Sequence, residues 1–402
     1  MLDVVVANPN AAVLSPFAAI EPPLWAGLIA NDLQQKGERV AILDAEAMGW
    51  TSEETVAQIK ELNPKRVIIV AMGSNPSASS TPKMPITKKL VSQLDFPVEV
   101  TGLHPSALPQ ETSEELGVAV LPGKIFEQTP DMPWDMLPMH LYRAHFWHCL
   151  DGSARQPYGV VYTSLGCPFS CSFCNIHALY GGHQVWYRNP IAVVQEIDTL
   201  VNNFGIRNIK FWDELFTLNQ NHVEEICNLL IGRNYDLNIW AYARTDRVNP
   251  RLLALMKRVG INWLAYGFEG CRDADLIQIN KKTTIQNAKD AVKITHEEGI
   301  NIIGNFLFGL PGDEQTLEFA QSLELEFVNF YEIKPYPGSA LYNQEKWHNY
   351  SQFPPSTIRD RAFNAFFTDP IYLNRIGKKF GQQAVESIDA MIKLGKPSIY
   401  TE

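Results

Sequence analysis

Two successive alternations of short apolar runs with amphipathic stretches constrain this chain's fold more than any other feature. The first passes from VVVAN through PPLWAGLIANDLQQKG, RVAILDA, SEETVAQIKELNP and RVIIVAMG, and continues in KKLVSQL, VEVTGL, SEEL and VAVL. The apolar runs are of strand length and the stretches between them of helix length, and a parallel crossover needs such a helix to cover the sheet face. Residues 1–121 are therefore predicted to form an open parallel α/β sheet of about five strands, with ligands in the crevice beyond the strands' carboxyl ends. The loops at that end, NPNAAVLSP, DAEAMGW, MGSNPSASSTP and GLHPSALP, are rich in turn formers, as ligand-facing loops often are.

Residues 122–157 break the rhythm with prolines and the aromatic run PWDMLPMHLYRAHFWH, which reads as a connector packed between domains. A second alternation fills 158–340. Its apolar runs GVVYTS, NIKFWD, LNIWAYA, INWLAYGFE, INIIGNFLFG and EFVNFYEIKPY are separated by helical stretches such as PIAVVQEIDTLVNNFG and PRLLALMKRVG. Six repeats fall short of the eight strands and roughly 250 residues of a closed barrel, so a partial (β/α)6 barrel is expected. The tail, 341–402, contains RDRAFNAFF and GQQAVESIDAMIKLG and reads as helices that cover an open edge or the bottom of the barrel.

A chain of 402 residues that is 46% apolar can bury a core of this size. Its formal net charge of −10 argues against a general phosphate-backbone binder and for a small-molecule or peptide partner. The start MLDVVVANPN lacks the features of a signal peptide, and no run reaches the ~18 apolar residues of a membrane span. A cytoplasmic location is expected. Six cysteines are too sparse for a disulfide scaffold. Cys149, Cys227 and Cys271 stand alone and read as small buried hydrophobes. Likewise Trp186, Trp212, Trp240 and Trp263 read as core.

The other three cysteines share one loop. SLGCPFSCSFCNIH places Cys167, Cys171 and Cys174 after the first strand of the second series, at the carboxyl end where barrel enzymes carry reactive groups. Gly166 and Pro168 permit a sharp turn, and thiolates so close together suit an iron–sulfur cluster or zinc. His177 could complete a Cys3His zinc site. A cubane cluster, in contrast, would be left with one open iron.

CPFSCSFC, with Phe173 before its last cysteine, resembles the C-x-x-x-C-x-aromatic-C motif of the radical S-adenosylmethionine (SAM) enzymes. That resemblance implies a 4Fe-4S cluster on Cys167, Cys171 and Cys174, whose open iron is chelated by SAM. It places Phe173, Asp213, Glu214, Arg244, Glu269 and Gly309 around the cosubstrate. Asp213 and Glu214 in KFWDELF double as helix-start carboxylates, and Arg244 in YARTDRV faces a ligand carboxylate or pairs with Asp246. Glu269 lies in YGFEG, where Gly270 replaces the family's small hydroxyl residue, and it contacts SAM or braces the barrel mouth. The glycines of FLFGLPGD allow backbone to approach the adenine. Lys281 and Lys282 read as solvated surface lysines.

The first domain resembles the cobalamin-binding domain that precedes the radical module in one large subgroup. EPPLWAGLIANDLQQKGERVAILDA, MGSNPS and TGLHPSALPQE carry the likeness, as does the connector PDMPWDMLPMHLYR. It implies Asn8, Ser74, Asn75, Gly102 and His104 as corrinoid contacts, with loop bracing as the alternative for His104. Three departures accompany it. The D-x-H-x-x-G motif is absent, DAEAMG with Glu46 coming nearest; Thr101 stands where the fourth-strand loop commonly begins with glycine; and LPGK runs almost directly into the connector, so the domain is trimmed.

The expected activity is reductive cleavage of SAM to a 5′-deoxyadenosyl radical, hydrogen abstraction from an unactivated carbon and cobalamin-dependent methyl transfer to it, with a flavodoxin or ferredoxin as electron donor. Radical oxidation or ring closure without methyl transfer is the alternative within the superfamily, and a non-catalytic zinc-binding protein the alternative outside it. No nucleic-acid module is visible, which ranks RNA modification low.

Overall fold

The computed structural model describes residues 2–11, 15–123, 130–345 and 357–394. Parts of the loop NPNAAVLSP, the connector and the tail named above lie outside these residues. The first sheet holds β1 (Val4–Asn8), β2 (Val40–Asp44), β3 (Arg66–Val70), β4 (Val98–Thr101) and β5 (Ala119–Val120). Their order is β2-β1-β3-β4-β5, parallel throughout, so the topological switch point falls between β1 and β3. Helix boundaries here follow local chemistry. Thr51 and Glu54 form a reciprocal capping box ahead of Ser52–Leu62.

Side chains alternate across this sheet, and the two faces meet different partners. Val5, Ala7, Val67, Ile69 and Val100 pack under Ile59 and Leu90 in a core of their own. Val4, Val6, Ile68 and Val70 join Leu28, Ile29, the connector residues Tyr142 and Trp147, and the interior of the second domain in one continuous core. The second sheet holds β6 (Tyr158–Val161), β9 (Asn208–Phe211), β10 (Asn238–Ala243), β11 (Ile261–Glu269), β12 (Asn301–Phe308) and β13 (Phe327–Glu332), while β7 (Ser164–Leu165) and β8 (Trp186–Tyr187) pair as an antiparallel ribbon beside it. Its order β13-β12-β11-β10-β9-β6 is sequential and parallel, as six strand–helix repeats require. The ribbon was not legible in sequence, because two residues per strand carry no periodicity.

Trp147 from the connector packs on Trp240, Trp263 and Phe327, so Trp240 and Trp263 are core; Trp212 is also buried, and Trp186 is partly buried against the same core. Phe366 and Phe367 of helix Thr357–Phe367 cover edge strand β13 through Phe330 and Phe327. Glu326 anchors the next helix, Pro370–Phe380. Its buried carboxylate accepts from Lys379 Nζ at 2.9 Å and from the Ile302 amide at 2.7 Å. Among the described residues no helix is long and apolar enough to cross a membrane.

Candidate active site

The cysteine loop leaves β6 at the carboxyl end of the six-stranded sheet. Gly166 begins it with φ +103°, and a Cβ there would collide with the carbonyl oxygen of Gln184, so only glycine permits the turn beside Cys167. Cys167, Cys171 and Cys174 are half-buried thiols and none is in a disulfide. Burial pushes the Cys167 thiol up to about 12, and the nearby Cys174, Glu214 and Cys171 push in the same direction. The Cys167 thiol thus shares one electrostatic neighbourhood with the other two, and a bound cation would reverse the effect by drawing off its proton. Among the described residues no group of three or more His, Cys, Asp or Glu side chains stands in a metal-holding array, so the sulfurs share a loop without having converged on one point.

His177 does not stand free as a fourth ligand. Its Nε2 lies 2.9 Å from the Cys167 carbonyl oxygen and its ring packs on His183 at 3.7 Å. A carbonyl accepts only from N–H, which assigns the proton to Nε2. The imidazole therefore braces the loop. Phe173 sits in a small apolar cluster with Leu276, Ile279, Leu307 and Leu310, which ties the motif's aromatic to the FLFGLPGD run.

The two acids after β9 support the same loop from beneath. Fully buried, Asp213 accepts from the Thr163 amide at 2.7 Å, the Thr163 hydroxyl at 2.6 Å and the Ser164 hydroxyl at 2.7 Å. These bonds engage both Asp213 oxygens and none of the side chain is exposed, so in this structure Asp213 braces the strand-end residues that lead into the loop. Glu214 accepts from the Gly166 amide at 2.8 Å and the Tyr180 hydroxyl at 2.6 Å. Burial raises its pKa to about 7 despite these bonds, with Asp213 adding to the rise. Because the folded pKa exceeds the unfolded one, its contribution to stability is present below about pH 4.5 and is lost as pH rises through about 7. Thermal melts of the metal-free protein should therefore decline from pH 5 to pH 8 by an increment that Glu214→Gln removes.

Arg244, at the end of β10, is likewise committed. Its Nε donates to Asp246 at 2.9 Å, and its Nη2 donates to the carbonyl oxygens of Lys281 at 2.7 Å and Lys282 at 3.3 Å. Of the two roles read from sequence, the pairing with Asp246 is the one present. Glu269 occupies a shift in register between β11 and β12 at φ +64°, a conformation rare for a side-chain-bearing residue. Lys281 meets it at 2.7 Å and is only 7% exposed, which corrects the reading of Lys281 as a surface lysine; Lys282 is exposed. Burial would lower the Lys281 pKa, but the Glu269 carboxylate and the Cys171 thiol outweigh it and leave it raised. Gly309 takes φ +109°, where a Cβ would strike Ile333, and its amide donates to Asp313 at 2.7 Å.

The switch point of the first sheet opens toward β9 as a narrow cleft with about 20 Å³ of free space. Asn8, Met72, Ser74, Lys83, Trp25 and Trp212 are among its walls. Asn8 accepts from Lys83 at 2.7 Å and donates to Asp44 at 2.8 Å, Asp44 also accepts from Tyr142 at 2.9 Å, and Lys83 pairs with Glu46 at 2.7 Å. Lys210 reaches across from β9 to Glu21 at 2.8 Å and to the Ser74 carbonyl at 2.9 Å. Sequence reasoning missed Lys210, Lys83, Asp44 and Glu21; the one available signal was Lys210, a charge inside the apolar strand run NIKFWD. Asn75 precedes the short helix Pro76–Ser79 without a capping bond from its side chain. Gly102 takes φ +131° against the Ala71 backbone. His104 bonds Thr81 through Nδ1 at 3.0 Å, its pKa lowered by burial to about 4, so the bracing role is the one present. Thr101 is fully buried, and its Oγ1 has no hydrogen-bond partner among the described residues.

Residues 161–323 match the Radical SAM superfamily. The chain is 31% identical over 244 residues to an uncharacterized methyltransferase of Pyrococcus horikoshii, a stretch that covers 57% of this chain and 51% of that protein. It is 29% identical over 187 residues to the anaerobic magnesium-protoporphyrin IX monomethyl ester cyclase of Rubrivivax gelatinosus, covering 44% and 33%. The matched stretch thus spans about half the length, or less, of these relatives. Among solved structures, the radical SAM methyltransferase TsrM of Kitasatospora setae, with cobalamin and a [4Fe-4S] cluster bound, superimposes with a TM-score of 0.67 at 16% identity, over 85% of this chain and 77% of that one. The cobalamin-dependent SAM radical enzyme OxsB, with aqua-cobalamin and SAM bound, gives 0.65 at 13% identity, over 97% and 72%. At such identities the likeness is one of fold. Residues 161–323 of this chain are a radical SAM domain, set behind an open parallel sheet as in the cobalamin-dependent radical SAM enzymes.

Proposed function

We propose that the protein is a cytoplasmic radical SAM enzyme that methylates an unactivated carbon of a small molecule or peptide with the help of cobalamin, accepting electrons from a flavodoxin or ferredoxin. The observation that carries the reading is the three-thiol loop after β6 in a chain whose preceding sheet has a switch-point cleft walled in part by Trp212 of the second domain. Three cysteines with a histidine already bonded to the loop fit a cluster that keeps one iron open better than a closed zinc site. When bound, the cluster with SAM would supply the radical and cobalamin the methyl group.

The chain's own residues hold and screen. Cys167, Cys171 and Cys174 would ligate the cluster, while Asp213, Glu214 and His177 hold the backbone at Thr163, Gly166 and Cys167. Phe173, Glu269 and Gly309 remain the candidates for contact with SAM. Asn8 and Ser74 of the cleft, with Asn75, Gly102 and His104, remain the candidates for contact with a corrinoid, the Asn8 amide and the His104 ring being held by Asp44, Lys83 and Thr81. The unsatisfied Thr101 hydroxyl at the end of β4 is a further buried group in want of a partner. Trp25 and Trp212, stacked at 6.5 Å, wall the cleft from the two domains and exclude water from the space between them.

The test is purification and reconstitution without oxygen. Iron, sulfide and absorbance near 400 nm, a corrinoid on extraction, and 5′-deoxyadenosine on reduction with SAM are the expected results; one colourless zinc per chain would overturn the proposal. Similarity to the ring-forming cyclase supports a second reading, radical oxidation without methyl transfer. Methyl-labelled SAM separates the two by whether label enters the product.

A further inference from the structure

We propose that Arg244 is a positioning residue for the cysteine loop, its guanidinium clamping the face of Phe169 to the chain segment 279–282. The proposal rests on the cluster reading above. The loop contains no strand and no helix between Cys167 and Cys174, so the placement of its three sulfurs depends on what grips it from outside. Phe169 lies midway between Cys167 and Cys171, and the Arg244 guanidinium carbon sits 3.8 Å from the centre of its ring. The same guanidinium is fixed by Asp246 and by the carbonyl oxygens of Lys281 and Lys282.

The segment that holds the guanidinium also holds the loop directly. Asn280 Nδ2 donates to the Ser170 carbonyl at 2.7 Å, and the Ser172 amide donates to the Ile279 carbonyl at 2.9 Å. Asn280 and Lys282 both take positive φ, at +53° and +54°, a tight local path that turns these groups toward the loop. Lys281, between them, sends its side chain to Glu269. Loop positions 169, 170 and 172 are thus gripped from one segment, with Arg244 as the rigid link to β10. A planar, permanently charged fork over an aromatic face suits that task, and lysine cannot reproduce it.

The experiment uses the full chain, reconstituted anaerobically as wild type, Phe169→Leu, Phe169→Tyr, Arg244→Lys and the Phe169→Leu/Arg244→Lys double variant. Iron release to excess chelator is followed by the loss of visible absorbance. Phe169→Leu should release iron about fivefold faster, Phe169→Tyr should stay within about twofold of wild type, and the double variant should be no faster than Arg244→Lys alone, as coupled residues require. Equal release from the leucine and tyrosine variants, or additive effects in the double, would overturn the clamp. Where Arg244→Lys fails to fold by circular dichroism, the two Phe169 variants decide, since that side chain is half-exposed. If the wild type takes up no iron, it is the cluster reading that fails. Hydrogen exchange across 167–174 in the metal-free chain then tests the clamp by itself: faster in Phe169→Leu and unchanged in Phe169→Tyr supports it, and no difference from wild type in either overturns it.

Discussion

Alanine at Cys167, Cys171 or Cys174 is expected to reduce 5′-deoxyadenosine formation to below about 1% of wild type and to remove most of the bound iron, because each iron that loses its thiolate is left to solvent and the cluster disassembles. Alanine at His177 should leave iron content within about twofold of wild type, since the imidazole bonds a carbonyl and not a metal. Iron and sulfide assays on the four variants, run beside the reductive SAM-cleavage assay, check both statements. A His177 variant as empty of metal as the cysteine variants would return the site to a Cys3His zinc reading. The expected contrast is large because ligand loss and brace loss differ in kind: one removes a metal bond, the other a single hydrogen bond worth about 1 kcal/mol.

Asparagine at Asp213 should destabilise the protein by about 3 kcal/mol and lower cluster occupancy as well. The carboxylate receives three donors in a fully buried site, and an amide would turn one of its own N–H groups toward them. Thermal melts of the metal-free chain measure the first effect and iron content after reconstitution the second. Glu214→Gln is the matched comparison at the neighbouring position. That side chain is less deeply buried than Asp213 and accepts two hydrogen bonds where Asp213 accepts three, so the glutamine variant should lose much less. A stable, fully loaded Asp213→Asn variant would show that the bonds to Thr163 and Ser164 do not hold the loop.

These expectations depend on a division of labour that sequence could only partly reveal. The family resemblance singles out Asp213 and Arg244, which stand at the carboxyl ends of strands, where barrel chemistry is done. Both do adjoin the cysteine loop. Their work there is to hold it: Asp213 from below through Thr163 and Ser164, Arg244 from the side through Phe169. Position along a strand locates a residue at the site, whereas the choice between bracing and binding depends on which hydrogen-bond partners come within reach of it. Asp246 aside, the partners of Asp213 and Arg244 lie 37 to 50 residues away in the chain.

Lys281 illustrates the same limit in reverse. Beside a second lysine and among polar residues it reads as surface, yet it is buried against Glu269. The left-handed turn at Asn280 and Lys282 and the shifted register of β11 bring the two together. Lys210, Lys83, Asp44 and Glu21 went unread for a related reason. Each is an ordinary charged residue within its own element and becomes unusual only where β9 faces the switch point of the other sheet.

What the sequence determined by itself was the pair of parallel α/β units and the three-cysteine loop, because apolar period and cysteine spacing are local properties that survive without coordinates. Tertiary structure alone decided the pairing of those units into one core, the shape of the cleft between them, and which strand-end acids and bases face inward to hold the loop. Those outcomes arise from contacts between segments far apart in the chain, where hydrogen-bond partners and burial are properties of the packed molecule and of no single stretch of it.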